Sequence, residues 1–130
     1  MDIQWKYSSP VEVNTIIAVA HSHNVTLPDF LINMIKEGNN GSPSKRKFFY
    51  DNETNEDIFK TVLSYNPNDV ENIYSALAEL HGTPSLYPFG NDPAGNFICL
   101  DGSKIVLWNH ETHQIRPIAD TIESFVNGLH

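Results

Sequence analysis

Apolar residues recur along this chain with two different periods, and the change from one to the other divides it. Val13, Ile16, Ile17 and Ala20 stand at i, i+3, i+4 and i+7, and Ser9-Pro10-Val11-Glu12 before them has the form of a capping box with proline at the first helical position. A helix over about 10–22 is expected. After the polar stretch from His21 to Thr26, Pro28 opens a second helical pattern of Leu27, Phe30, Leu31, Met34 and Ile35, with Gly38 suited to its C-terminal cap. Residues 39–44 are loop by composition. Lys47 to Asp51 reads as a strand, followed by a polar turn and a second strand near Ile58 to Leu63. Asn66-Pro67-Asn68-Asp69 breaks the chain, and Asp69 is placed to cap a third helix carrying Val70, Ile73, Leu77 and Leu80, which Gly82-Thr83-Pro84 stops.

From Leu86 the period changes. Phe97-Ile98-Cys99-Leu100 and Ile105-Val106-Leu107-Trp108 are uninterrupted apolar runs joined across Asp101-Gly102, a strong hairpin signal; runs without alternation imply strands covered on both faces. A turn around Glu111 to Gln114 leads to a strand over Ile115 to Ala119, and Asp120-Thr121-Ile122-Glu123 can cap a closing helix with Phe125, Val126 and Leu129. The order ααββαβββα, with hairpins in the middle, is that of an α+β fold, a mainly antiparallel sheet flanked by helices, rather than a βαβ winding. At 130 residues the expectation is a single domain over residues 1–130.

Composition narrows the function. A hydrophobic fraction of 40% is too high for a disordered tail, and no apolar run approaches the ~20 residues that a membrane span needs. Cys99 has no second cysteine to pair with, and the opening MDIQWKYSSP lacks the basic and apolar regions of a secretory signal, so a cytoplasmic location is expected. Asn-x-Ser/Thr triplets at Asn24, Asn40 and Asn52 carry no meaning in that compartment. Sixteen acids against eight bases leave a net charge of −8, which disfavours nucleic acid backbones and anionic lipid and favours a basic partner. That charge is concentrated: Asp51, Glu53, Glu56, Asp57, Asp69, Glu71 and Glu79 face a single base, Lys60, over residues 51–79, a net −6. The first six are the candidate partner-binding acidic surface, with Tyr50 and Tyr74 as aromatic anchors. Lys45-Arg46-Lys47 is the opposing patch, too short for a nucleic acid footprint and suited to guarding a strand edge.

The motifs that carry chemistry elsewhere fall short here. His110-Glu111-Thr112-His113 spaces its imidazoles at i+3 in a turn, whereas a zincin needs i and i+4 on a helix, so it reads as a polar turn. His21-Ser22-His23 lies at a helix end, where imidazole suits the dipole. Asp92-Pro93-Ala94-Gly95-Asn96, with Asp101 beyond, spaces oxygens like a calcium loop. Ala94 stands where an oxygen ligand is required and Phe97 where glycine is, so the segment reads as a tight turn in which Asp92 and Asn96 satisfy backbone donors and Gly95 supplies positive φ. Cys99 lies mid-strand, no serine occupies a nucleophile elbow, and no glycine-rich phosphate loop is present. No catalytic activity, metal or cofactor is expected.

The string from Leu86 through Pro88-Phe89-Gly90-Asn91-Asp92 and Gly95-Asn96 to Asp101 resembles the signature of the Smi/Knr family of the SUKH superfamily. Leu27-Pro28-Asp29-Phe30 to Asn40-Gly41 is similar to that family's early helix and loop, and Ile118-Ala119-Asp120-Thr121 to Phe125 to its closing segment, although Thr121-Ile122 replaces the usual Ser-Phe. The likeness covers about residues 10–129. It implies an α+β domain without catalytic activity. It also implies one of two roles: an immunity protein that blocks a toxin, often a nuclease, or a regulatory module of the kind linked to cell-wall glucan synthesis. The signature residues Pro88, Phe89, Asp92, Gly95, Asn96, Asp101, Trp108, Asp120 and Phe125 are expected to set turns, caps and packing rather than touch a partner. For the regulatory reading, a pocket near Tyr87, Phe89 and Trp108 is the natural site, but these aromatics flank apolar strands and read as core.

Overall fold

The computed structural model describes residues 3–51 and 54–130. Both early amphipathic patterns form helices, α1 over Val13–Ser22 and α2 over Asp29–Gly38, packed on each other through Ile16, Ala20, Leu31, Met34 and Ile35, all buried. The expected capping box does not form. Glu12 takes the N-cap position without a side-chain bond, because Ser9 is recruited elsewhere: its amide donates to the carbonyl of Asn39, and its Oγ accepts from Asn39 Nδ2. A pair of short strands, β1 (Trp5–Lys6) and β2 (Ser42–Pro43), closes this end, so residues 42–43 are strand where their composition indicates loop.

Next come β3 (Lys47–Phe49) and β4 (Glu56–Ile58), an antiparallel hairpin forming its own two-stranded sheet. The second expected strand is thus divided: Phe59 and Lys60 turn the chain, and β5 (Thr61–Val62) joins a different sheet. Helix α3 (Ile73–Glu79) begins later than the pattern suggested. Asn72 caps it by accepting from the Ser75 amide, Asp69 is not its cap, and Val70 is 96% exposed instead of lying on the buried face. The cause is Ser64. Its hydroxyl donates to Asp69 Oδ2 at 2.6 Å, its amide donates to the Glu71 carbonyl and its carbonyl accepts from the Ile73 amide, so residues 69–72 are held out of the helix.

The C-terminal half is a five-stranded antiparallel sheet in the order β5-β6-β7-β8-β9, with β6 over Leu86–Asn91, β7 over Phe97–Asp101, β8 over Lys104–Trp108 and β9 over Ile115–Ala119. Strand β7 is buried from Phe97 to Leu100, as its unbroken apolar run required, and Asp101 sits opposite Lys104 at the hairpin end. Strand β6 carries Pro88 and a register shift between Pro88 and Gly90, the kind of irregularity at which a strand proline is tolerated. Gly90 is required by packing, since a Cβ there would lie 2.7 Å from Phe59 Cε1. Helix α4 (Ile122–Asn127) closes the chain. Its cap is Thr121 rather than Asp120, in a reciprocal box with Ser124.

The observed order is therefore an α+β fold with mostly antiparallel strands, in which β1, β2, β6 and the division of β4 from β5 add to the expected pattern. Phe125 sits at the centre of an aromatic cluster, 5.3 Å from Phe48, 5.9 Å from Phe59 and 6.1 Å from Phe89. Its contact with the buried Phe48 fixes the β3–β4 hairpin to the core, and burial of such a ring is worth about 2–3 kcal/mol. Among the described residues, no helix is long and apolar enough to cross a membrane.

Candidate functional site

The hairpin β3–β4 stands opposite β9, the edge of the large sheet, and a groove runs between them. Tyr50, just beyond β3, lines two concavities that meet at it. One, of about 390 Å³, is bounded by Phe49 and Asp51 on the hairpin side and by Pro117, Ile118 and Ser124 opposite. The other, of about 330 Å³, is lined by Glu56, Asp57, Asp92, Asn96, Gln114 and Arg116 among others. At the junction the Arg116 guanidinium lies over the Tyr50 ring, 5.4 Å from its centroid, a cation–π arrangement.

The charges of the groove are placed by distinct local devices. Asp51 accepts from the Asn55 side chain at 2.6 Å and from its amide at 2.9 Å, and these bonds hold its carboxyl below the usual carboxylate range. Glu56 Oε2 lies 2.6 Å from His130 Nε2; the Gly128 carbonyl and Glu56 together raise the imidazole above its ordinary value. Asp57 is partly buried against Asp92. Burial first, and then the hydrogen bond with the Asp92 carboxyl, push Asp57 up to about 7. Asp92 is 3% exposed.

Asp92 is held by the turn the sequence indicated. Its Oδ1 accepts from the Asn96 amide at 2.8 Å and its Oδ2 from Asn96 Nδ2 at 2.9 Å; Gly95 adopts φ +88°, where a side chain is strained. Asn96 Oδ1 in turn accepts from the His110 amide, tying the turn to the β8–β9 connection. His113 stacks on Trp108, which is 3% exposed and also stacks on Phe97, and His110 lies over Gly95. Among the described residues, no group of three or more histidine, cysteine or carboxylate side chains is positioned to hold a metal.

The acidic segment is not one surface. Asp51, Glu56 and Asp57 flank the groove, whereas Asp69 and Glu71 lie beyond the Asp92–Asn96 turn, beside α3. Asp69 is engaged by Ser64. Glu71 pairs with Lys60 and accepts from Asn91 Nδ2 at 2.8 Å. Burial opposes ionisation of Glu71, but the Asn91 amide and the Lys60 ammonium outweigh it and hold the carboxyl low. Glu53 lies outside the described residues.

Of the remaining sequence candidates, Pro88, Phe89, Trp108 and Phe125 are buried packing groups, and Asp120 is exposed. Tyr87 and Phe89 are each 1% exposed, and the Tyr87 hydroxyl bonds that of Tyr65 at 2.6 Å, so the aromatic pocket expected for a regulatory ligand is core; only Tyr87 reaches a separate cavity of about 380 Å³. Cys99 is fully buried, and burial pushes its thiol well above the ordinary range. Tyr74 keeps 38% exposure while its hydroxyl donates to the Tyr65 carbonyl. Sequence reading missed Arg116 and the Asp57–Asp92 pairing. A lone arginine in an edge strand is a weak signal for the first; the second had none, because the two residues meet only through tertiary structure.

The Asp92–Asn96 turn and the Ile118–Phe125 end of the groove lie in segments where the sequence resembles a known signature, whereas the β3–β4 hairpin does not. No curated protein matches the chain. The sequence profile of the SMI1 / KNR4 family (SUKH-1), a family generally without catalytic activity, matches residues 10–128, which takes in α1 through α4, and the chain belongs to that family.

Proposed function

We propose that this protein is a non-enzymatic binding protein of the immunity type, which acts in the cytoplasm and neutralises a basic toxin domain by lying over its working surface. Family membership supports a binding role, since the family comprises immunity-type and regulatory proteins. The observation that carries the immunity reading is the concentration of Asp51, Glu56, Asp57 and Asp92 around one open groove beside Tyr50, where the described residues set only Arg116 and, on Glu56, His130 against them. Fixed negative potential of this kind accelerates capture of a basic partner, and apolar contact at Phe49 and Tyr50 then slows its release. No reactive group of its own enters this mechanism.

Co-expression is the test. The protein is produced together with a toxic domain encoded in the neighbouring reading frame, and survival is the expected result. Reversal of Glu56 and Asp57 to lysine, with folding verified by circular dichroism, is expected to lower the association rate about tenfold at low salt and to reduce protection. Unchanged protection and unchanged association would exclude electrostatic capture. A growth or wall defect on deletion in cells that hold no toxin would favour the regulatory role instead.

A further inference from the structure

The groove has features that a merely acidic surface lacks, and they specify the shape of what enters it. In the β3–β4 ladder the bonded pairs alternate: Phe59 donates to Arg46 and Tyr50 donates to Asn55, which leaves Lys47 and Phe49 facing away from β4. Lys47 is taken on that side by His130, with bonds of 3.0 Å in both directions. Phe49 is next on the same edge, lines the first cavity and is 38% exposed. Its amide and carbonyl are open to one more strand-like partner. On the opposite wall Pro117 has no N–H to donate, so a second ladder would be interrupted there.

Further along, Arg116 shows what the second cavity accommodates. Its guanidinium rests on Tyr50, within a lining that otherwise carries three carboxylates, Glu56, Asp57 and Asp92. The protein's own arginine thus occupies the position that an incoming cation would take, and a planar guanidinium is the group that both stacks on an aromatic ring and bonds a carboxylate through two donors. The other concavities offer no such match. The one between α1 and α2, around Ile17, Val25 and Ile32, is mainly apolar and shows no feature that selects an occupant; in the one beside α3, Glu71 is already neutralised by Lys60.

Resting on the binding role above, we infer that the docking element is an extended, arginine-bearing segment of the partner protein. It adds one backbone pair at Phe49 and seats its guanidinium against Asp57 and Asp92, displacing Arg116 from the Tyr50 ring. Entry of that cation favours the ionised form of Asp57, so binding releases a proton and strengthens with pH. The groups facing Asp57 are Tyr50 beyond β3, Glu56 on its own strand, Asp92 and Asn96 of the turn, Asn109 and Gln114 of the β8–β9 connection, and Arg116 of β9; His130 acts on it through Glu56. Loss of charge at His130 with rising pH frees Glu56 and works in the same direction.

The probe is the peptide Ac-(Arg-Val)4-NH2, with Ac-(Glu-Val)4-NH2 as control, titrated into the ¹⁵N-labelled full chain at pH 6 and pH 8. Saturable shifts are expected at Phe49–Asp51, Asp57, Asp92–Asn96 and Arg116–Ala119, with up to about tenfold tighter binding at pH 8, the change in ionised fraction for a group near 7. Asp57→Asn is expected to weaken binding about tenfold and flatten the pH dependence, while Arg116→Ala, by removing the internal competitor, tightens it about threefold. Shifts centred on Glu71 to Glu79 or on α1, no saturable shift at all, or weaker binding by Arg116→Ala would each overturn the inference. Peptide mapping reads the groove alone, so mapped binding without co-expression rescue would reject immunity and leave the groove standing. Rescue without mapped binding would do the reverse.

Discussion

Two stretches of this chain cluster acidic residues and use them differently. Around Ser64 the acids Asp69 and Glu71 are consumed internally, one by a serine hydroxyl and the other by Lys60 and Asn91. On the hairpin, Asp51, Glu56 and Asp57 sit at the rim of a groove with Asp92, in surroundings that supply one arginine. A count of carboxylates along the sequence treats both sets alike, but in the second only Glu56 has a cationic partner, His130, while Asp51 and Asp57 stand at the groove without an ion pair among the described residues. The net charge of a segment therefore measures what is available to a partner only after its internal obligations are subtracted.

The strongest way to break this contrast is to remove the support of the hairpin. Phe48→Ala deletes the ring that packs 5.3 Å from Phe125, and a cost of about 3–5 kcal/mol in urea unfolding is expected, together with broadened amide signals at Tyr50 and Asp57. If those signals stay sharp while stability falls, the hairpin is held by something other than that contact. A smaller effect separates the two acidic sets directly. Ser64→Ala removes a fully buried hydroxyl, leaves the partly buried Asp69 without that donor, and is expected to cost about 1–3 kcal/mol while leaving partner association unchanged. Equal loss of association would place the Ser64 region in the interface.

The smallest effect is a matter of pH. Asp57 is raised in the folded state from 3.8 to about 7, so its contribution to stability is fully present below pH 4 and is lost as pH rises through 7. Asp57→Asn is therefore expected to match the parent near pH 4 and to exceed it at pH 8 by about 1–2 kcal/mol, after discounting the full shift for solvent screening of a half-exposed group. Thermal melts at the two pH values decide the point, and a constant difference between the proteins would show that Asp57 is not raised in the folded state.

What could be read in advance followed from how local each feature is. The β7–β8 hairpin was legible because Asp101-Gly102 lies between two apolar runs that no other pairing satisfies so well, and the Asp92–Asn96 turn because its donors and acceptors are a few residues apart. The misplaced helix starts share one physical cause. Ser9 and Asp69 each have the chemistry of a cap, but a tertiary partner, Asn39 in one case and Ser64 in the other, binds them first. Strand β6 was hidden by Pro88, which is tolerated only because the register shifts beside it. Half of the groove was legible as charge. Its opposite wall and the meeting of Asp57 with Asp92 were not, because both arise from the placement of the hairpin against β9.

The burial of Cys99 has a practical corollary. With its one sulfhydryl sealed inside β7, the molecule is chemically silent toward maleimides while folded, and a cysteine installed at Gln114 on the groove rim would be the reactive one. A fluorophore attached there reports on arrivals at the groove in a wild-type scaffold, with no background to subtract.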